Sequence, residues 1–256
     1  MLLAIDIGNT HIVSGLIRDG TVQFEARLAT DPRRTADQYW LDLKSLLSAY
    51  NVRPDEVTDC IISSVVPPVC SEVCRGAARV VGKRPLIVAP GLKTGLNIQA
   101  DMPSQVGSDR IVAVVAALER YEPPLILIDM GTATTIEVVT EGNHYIGGCI
   151  IPGVGVSLEA VTAQTAQLPG IQLGKPGRVI GKNTEESMRS GVMYGAAAML
   201  DGMIERIEDE LGRPASAVAT GGIARLIVPL CRRQIVLDND LLLNGLYILY
   251  QKNRKK

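Results

Sequence analysis

The apolar and polar positions of residues 2–29 fall into short blocks that predict three strands: Leu2 to Asp6, His11 to Arg18 and Thr21 to Leu28. Asp19-Gly20 supplies the tight turn between the last two. The period then lengthens, with Ala36, Tyr39, Trp40, Leu43, Leu46, Leu47 and Tyr50 at helical spacing and Thr35 with Gln38 as a capping box. A buried-strand run, Cys60 to Val66, ends at Pro67-Pro68; a helix and a strand at Pro85 to Val88 follow. A helix is predicted over 103–121, where Ile111, Val114, Val115, Leu118 and Tyr121 share a face. Strands at 125–129, 134–140 and near His144 to Ile150 come next. A long helix over about 184–211 follows, with Asn183 or Thr184 as its cap and Glu186 in its first turn. A short strand, Ala217 to Ala219, runs into Thr220-Gly221-Gly222, and a strand and a helix finish the chain.

Two of these stretches are near copies. Leu3-Ala4-Ile5-Asp6-Ile7-Gly8-Asn9-Thr10 and Ile126-Leu127-Ile128-Asp129-Met130-Gly131-Thr132-Ala133 are each an apolar strand ending in Asp-x-Gly, followed by a second β-branched run. A glycine at such a turn adds no side chain where a ligand approaches the backbone. An aspartate beside it suits a hard cation such as Mg²⁺, which prefers oxygen and arrives with phosphates. Two hairpins of this kind, each heading a run of strands, helices and strands, predict an α/β protein of two mixed-sheet domains, 1–118 and 119–256, with a nucleotide in the cleft between them.

Composition narrows the partners. The 256 residues are 46 % hydrophobic and 21 % charged, as in an ordinary globular protein. Twenty-six basic residues against 27 acidic give no electrostatic reason to expect nucleic acid. The basic tail Lys252-Asn253-Arg254-Lys255-Lys256 reads as a solvated end. Five cysteines (Cys60, Cys70, Cys74, Cys149, Cys231), no Cys-x-x-Cys pair and two histidines argue against a disulfide framework or a zinc site. Cys70 and Cys74 read as one face of a helix. No apolar run is long enough for a membrane span, and the chain opens directly into a strand without a leader pattern, so a cytoplasmic protein with reduced thiols is expected.

The phosphate motifs of other folds are missing. Gly177 to Gly181-Lys182-Asn183 has the wrong spacing for a P-loop and no strand before it, and no Gly-x-Gly-x-x-Gly follows a strand. Within Pro103-Ser104-Gln105-Val106-Gly107-Ser108-Asp109-Arg110 an acid and a cation stand side by side. The plain reading is a solvated ion pair. The chemical one is an aspartate base for a hydroxyl proton beside an arginine fork for a carboxylate.

The paired Asp-x-Gly hairpins and Gly221-Gly222 resemble the superfamily of sugar kinases, acetate kinase, heat-shock chaperone ATPases and actin, in which two ribonuclease-H-like domains hold ATP. Asp6-Ile7-Gly8-Asn9-Thr10, Gly107-Ser108-Asp109-Arg110 and Asp129-Met130-Gly131-Thr132-Ala133-Thr134-Thr135 together resemble type III pantothenate kinase. So do Gly147 to Gly153, Asn183-Thr184 and Ser190 to Gly195. The resemblance implies ATP-dependent phosphorylation of pantothenate, the first step toward coenzyme A, by a homodimer that uses Mg²⁺ and a monovalent cation, K⁺ or NH₄⁺. It matches Asp109 to the catalytic base, and Ala100, Gly107, Ser108, Asp109, Arg110 and Thr184 to pantothenate contacts. It matches Asp6, Ile7, Gly8, Asn9, Thr10, His11, Ile12 and Val13 to the first phosphate loop, Thr132 to an ATP contact, and Gly221 and Gly222 to the nucleoside. Asp6 would hold Mg²⁺ and Asp129 the monovalent cation. Three positions depart from the family: Ser108 stands where alanine is frequent, Ala100 where many members have a tyrosine, and Met102 where asparagine is common.

Other features read plainly. His11 fits a structural strand position, His144 an exposed turn, and Tyr39 and Trp40 a helix core. Gly191 and Gly195 on the long helix suit close packing of a helix or a dimer partner. Two rival functions stand beside the kinase. One is a non-catalytic relative acting as a transcription accessory factor, which would be expected to lose Asp6, Asp109, Arg110 and Asp129 first. The other is a kinase for a different small acceptor.

Overall fold

The computed structural model describes residues 1–254; Lys255 and Lys256 of the basic tail lie outside them. In chain order the elements are β1 (Leu2–Ile7), β2 (His11–Arg18), β3 (Thr21–Ala29), α1 (Ala36–Ala49), β4 (Asp59–Ser64), α2 (Pro67–Val81), β5 (Leu86–Ile87), β6 (Asn97–Ile98) and α3 (Ser108–Ala117). They continue as β7 (Leu125–Met130), β8 (Ala133–Thr140), β9 (His144–Pro152), α4 (Val154–Gln164), α5 (Thr184–Leu211), β10 (Ser216–Thr220), α6 (Ala224–Ile227), β11 (Val236–Leu237) and α7 (Leu241–Asn253). The chain forms two compact units. One holds residues 1–96, 101–119 and 240–256, and the other 97–100 and 120–239.

The first unit is a five-stranded sheet in the order β3-β2-β1-β4-β5, antiparallel across β1, β2 and β3 and parallel from β1 to β4 and β5. Strand alternation sends Leu3, Ile5 and Ile7 of β1 to one face, where they join Tyr39, Leu43 and Leu47 of α1 and Val69, Val73 and Ala77 of α2 in one core. Leu2, Ala4 and Asp6 therefore face the other side, on which α3 and α7 pack against β4 and β1. The capping box is present: Thr35 N donates to Gln38 Oε1 at 2.9 Å, and Gln38 N to Thr35 Oγ1 at 3.5 Å. Tyr39 is core, as expected; Trp40 is half-buried, with the Arg79 guanidinium carbon 4.0 Å from its ring centre.

The second unit repeats this plan: β9, β8, β7, β10 and β11 follow the order of the first sheet, with β6 added at the β9 edge. Ile126, Ile128 and Met130 of β7 pack with Met193, Ala197, Leu200 and Ile204 of α5 and with Ala217 and Ala219 of β10. Asp129 points to the opposite face, as Asp6 does in the first unit.

The structure departs from the sequence-based expectations in several places, and β6 and α6 are among the elements not expected. The helix expected over 103–121 is a short 3₁₀ turn, Pro103–Gln105, followed by α3. Helix α4 has no counterpart among the expected elements. The division expected at 118/119 differs in where the ends go: residues 97–100 sit with the second unit and α7 with the first. Gly245 lets α7 cross α3 backbone to backbone, since a Cβ there would lie 2.1 Å from the Val112 carbonyl oxygen.

Candidate functional site

Asp6 is the last residue but one of β1 and is buried, paired in register with Val13 on one side and with Ser63 of β4 on the other. Partners in register present side chains to the same face, so Asp6 and Ser63 are neighbours below α3. The turn after Asp6 is closed by the Gly8 amide donating to the His11 carbonyl at 3.0 Å. Thr30 braces it from just past β3, its hydroxyl donating to Gly8 O at 2.7 Å and its amide to Thr10 O at 3.0 Å. Asn9, Thr10 and His11 are exposed. Ile7 and Ile12 are fully buried in the core, so they reach any ligand only through their backbone.

The segment 107–110 lies at the head of α3, with Gly107 as its N-cap residue. Asp109 stands in the first turn, half-buried, its Oδ1 accepting from the Arg110 amide at 2.8 Å. That oxygen folds back over Gly107, where a Cβ would meet it at 2.5 Å. Ser108 fastens the turn to β4. Its hydroxyl lies 2.9 Å from Ser63 Oγ, accepts from Ser64 N at 3.1 Å and donates to Ser64 O at 3.0 Å. The β1–β2 hairpin and the Asp109-bearing turn thus meet at the carboxyl ends of β1 and β4, joined through Ser63. Sequence reasoning passes over Ser63 and Ser64; two serines closing an apolar strand run are the available signal.

In the second unit Asp129 is half-buried near the end of β7, in register with Thr135 of β8 and Thr220 of β10. The Gly131 amide donates to Ala133 O at 3.0 Å, closing a turn whose Gly131 and Thr132 are exposed. Gly153, the N-cap residue of α4, presses on this turn from below: its amide donates to Thr132 O at 3.2 Å. A Cβ on Gly153 would sit 2.2 Å from that oxygen. Gly221, with φ +96°, lies against the same strand end, where a Cβ would come within 2.5 Å of Asp129 Oδ1 and 2.7 Å of the Met130 backbone. Gly222 is exposed. Gly131 is different, because its nearest neighbour to a Cβ would be 3.6 Å away, so packing does not demand glycine there.

This contrast gives a prediction. Gly221→Ala is expected to lose roughly 2–4 kcal/mol of stability from left-handed strain and overpacking. Gly131→Ala is expected to melt close to the parent yet bind ATP more weakly, because its glycine leaves room for a ligand. Thermal melts with nucleotide titrations check this; equal melting of the two variants would contradict it.

Thr184 is the first residue of α5 and exposed, following the N-cap Asn183, whose Oδ1 accepts from the Glu186 amide at 2.9 Å. Ala100 lies just beyond β6, half-buried. Both belong to the second unit, whereas Gly107, Ser108, Asp109 and Arg110 belong to the first. Asp6 and Asp129 are single carboxylates near strand ends, a donor set that would fit a hard ion completing its shell with phosphate and water, since Mg²⁺ typically takes one or two protein carboxylates. Among the described residues no cluster of three or more His, Cys, Asp or Glu forms a closed metal site.

Comparisons with known proteins bear on the fold and on the family. The structure resembles that of a protein described as a Baf-family transcriptional activator from Campylobacter jejuni, with TM-score 0.63, 16% identity and 98% of each chain covered. It also resembles a protein described as a 2-dehydro-3-deoxygalactonokinase from Sinorhizobium meliloti, with TM-score 0.60, 12% identity, and 100% of this chain and 98% of that one covered. These likenesses, with the repeated strand order, show two ribonuclease-H-like domains of the actin-like ATPase and sugar kinase fold. In sequence, the chain is 43% identical to a type III pantothenate kinase from Brevibacillus brevis over 254 residues, 99% of this chain and 100% of that protein. The family model described as type III pantothenate kinase matches residues 2–206. The chain belongs to the type III pantothenate kinase family.

Proposed function

We propose that the chain transfers the γ-phosphoryl group of ATP to the hydroxyl of pantothenate, opening coenzyme A biosynthesis, with Asp109 as the base. Family membership supports the reaction. The observation that carries the assignment of residues is the Ser63–Ser108 junction, which sets Asp109 at the same strand ends as Asp6. Phosphoryl transfer needs in-line positioning and neutralised oxygens more than covalent help. Asp109 orients the acceptor hydroxyl and takes its proton, and Arg110 holds the carboxylate at the far end of pantothenate. Ala100 and Thr184 complete the acceptor contacts. The turns at Gly8 to His11 and at Gly131-Thr132 present backbone amides to the phosphates, and Gly222 and Gly221 border the nucleoside. Asp6 is the Mg²⁺ ligand and Asp129 the ligand for K⁺ or NH₄⁺; these cations supply charge neutralisation on the phosphates.

The protein is proposed to act as a cytoplasmic homodimer. Gly191 and Gly195 are exposed on α5, with open space above both, beside exposed Val179 and Ile180, an apolar face suited to a second copy. No described helix is long and apolar enough to cross a membrane. The assignment at Asp129 is tested by replacing K⁺ with Na⁺. Turnover is expected to fall strongly in the parent, and an Asp129→Asn variant is expected to lose the distinction. Equal rates in both salts for the parent would remove the cation site.

A further inference from the structure

The dithiol on the first turns of α2 has no part in the kinase site. Cys70 and Cys74 lie one helical turn apart with their sulfurs 3.8 Å from each other, both half-buried. Cys70 is the fourth residue of α2, just past the Pro67-Pro68 start of the helix, and its own amide donates to the Val66 carbonyl at 2.9 Å. The Ser64 hydroxyl is its second partner, and Ser64 is the residue whose backbone grips Ser108 beside Asp109.

We propose that Cys70 and Cys74 form an oxidant-sensing site for hydroperoxides, whose bridged state disturbs the Ser64–Ser108 anchor of the Asp109 turn. In the first step the Cys70 thiolate attacks the peroxide. An S–O bond forms, the O–O bond breaks and the leaving alkoxide (hydroxide when the oxidant is hydrogen peroxide) takes a proton to become an alcohol or water. In the second, Cys74 attacks the sulfenic sulfur, the S–S bond forms, the S–O bond breaks and the oxygen leaves as water with the Cys74 proton. Two thiols are oxidised by two electrons, and one hydroperoxide is reduced.

Cys60 and Cys231 are poorer nucleophiles. Donation from Cys74 and Ser64 brings Cys70 down to about 6, while burial pushes Cys231 up to about 12 and pushes Cys60 up as well. The bridge also has a mechanical consequence. Residues four apart on a helix hold their Cβ atoms about 5–6 Å apart, whereas a disulfide brings them to roughly 3.8 Å. Closing it therefore distorts the start of α2 and draws Cys70 from Ser64. Ser64 Oγ also accepts from the Val66 amide at 3.1 Å, so the strand-to-helix corner moves with it. That consequence for turnover rests on the reading of Asp109 as the base.

The test uses the full chain. Reduced protein is pulsed with iodoacetamide at pH 7, and Cys70 is expected to label roughly tenfold faster than Cys149 or Cys231. Hydrogen peroxide should then yield a peptide lighter by two hydrogens with Cys70 and Cys74 both protected, in the parent and in Cys60→Ser. In Cys74→Ser the bridge should be absent and dimedone should trap Cys70 as its sulfenic acid. Pantothenate-dependent turnover should fall on the order of tenfold on bridging and return with dithiothreitol. Slow, uniform labelling, or peroxide products without a Cys70–Cys74 bridge, would overturn the site. A bridge that leaves turnover unchanged would overturn its link to Asp109. A protein with no turnover even when reduced would instead count against the kinase reading, and the mass data would still decide the dithiol.

Discussion

Asp109→Asn is expected to lower pantothenate-dependent turnover by roughly 10²–10⁴, the usual contribution of a positioned general base. The substitution keeps the shape of the side chain and the oxygen that accepts from the Arg110 amide, so the head of α3 should hold. Ser108, which fastens that turn to β4, is untouched. Thermal stability and ATP affinity should therefore stay near those of the parent, and the deficit should appear in kcat. Steady-state kinetics beside a nucleotide titration separate the two effects. A variant that turns over at a near-normal rate would end the assignment of Asp109 as base and leave it a positioning role at most.

The second large effect is expected at Arg110. A charge-assisted pair to a carboxylate contributes about 1.5–3 kcal/mol, which corresponds to roughly 10–150-fold in affinity. Arg110→Ala should therefore raise KM for pantothenate by that factor while changing KM for ATP little. Lysine offers one charge without the planar fork, so Arg110→Lys should recover only part of the loss. An acceptor analogue with an alcohol in place of the carboxylate supplies the complementary reading. The parent should discriminate against it, and Arg110→Ala should not. If the variant kept the same preference between the two acceptors, the carboxylate would have to be bound elsewhere.

The parts of this fold written in local pattern are legible in the amino-acid sequence. The Asp19-Gly20 turn, the Thr35–Gln38 box and the span of α5 each depend on neighbours in sequence, and each is present. Helix α4 is hidden because Val154–Gln164 mixes small, apolar and hydroxyl residues without a clear stripe, and it buries only Val154 and Leu158. The place of α7 depends on Gly245 meeting Val112, a contact between residues far apart in the chain that no period signals. At the candidate site, Asp6, Asp109 and Asp129 stand out because motifs repeat or resemble a family. Ser108 is matched to a pantothenate contact by resemblance, and its anchoring role is hidden until its hydroxyl is seen to join Ser63 and Ser64. Gly221 is matched to a nucleoside contact by resemblance, and its crowding against Asp129 and Met130 adds a packing reason for the same residue.

The structural likeness to a transcriptional activator speaks for the fold alone, at 16% identity. Retention of Asp6, Asp109, Arg110 and Asp129 favours catalysis. The most direct measurement of the central claim is ADP release from ATP and Mg²⁺ in K⁺ buffer, with and without pantothenate, for the parent and Asp109→Asn side by side. The account predicts release that depends on pantothenate in the parent and is almost abolished in the variant. Folded parent protein that binds ATP yet releases no ADP on adding pantothenate would contradict it.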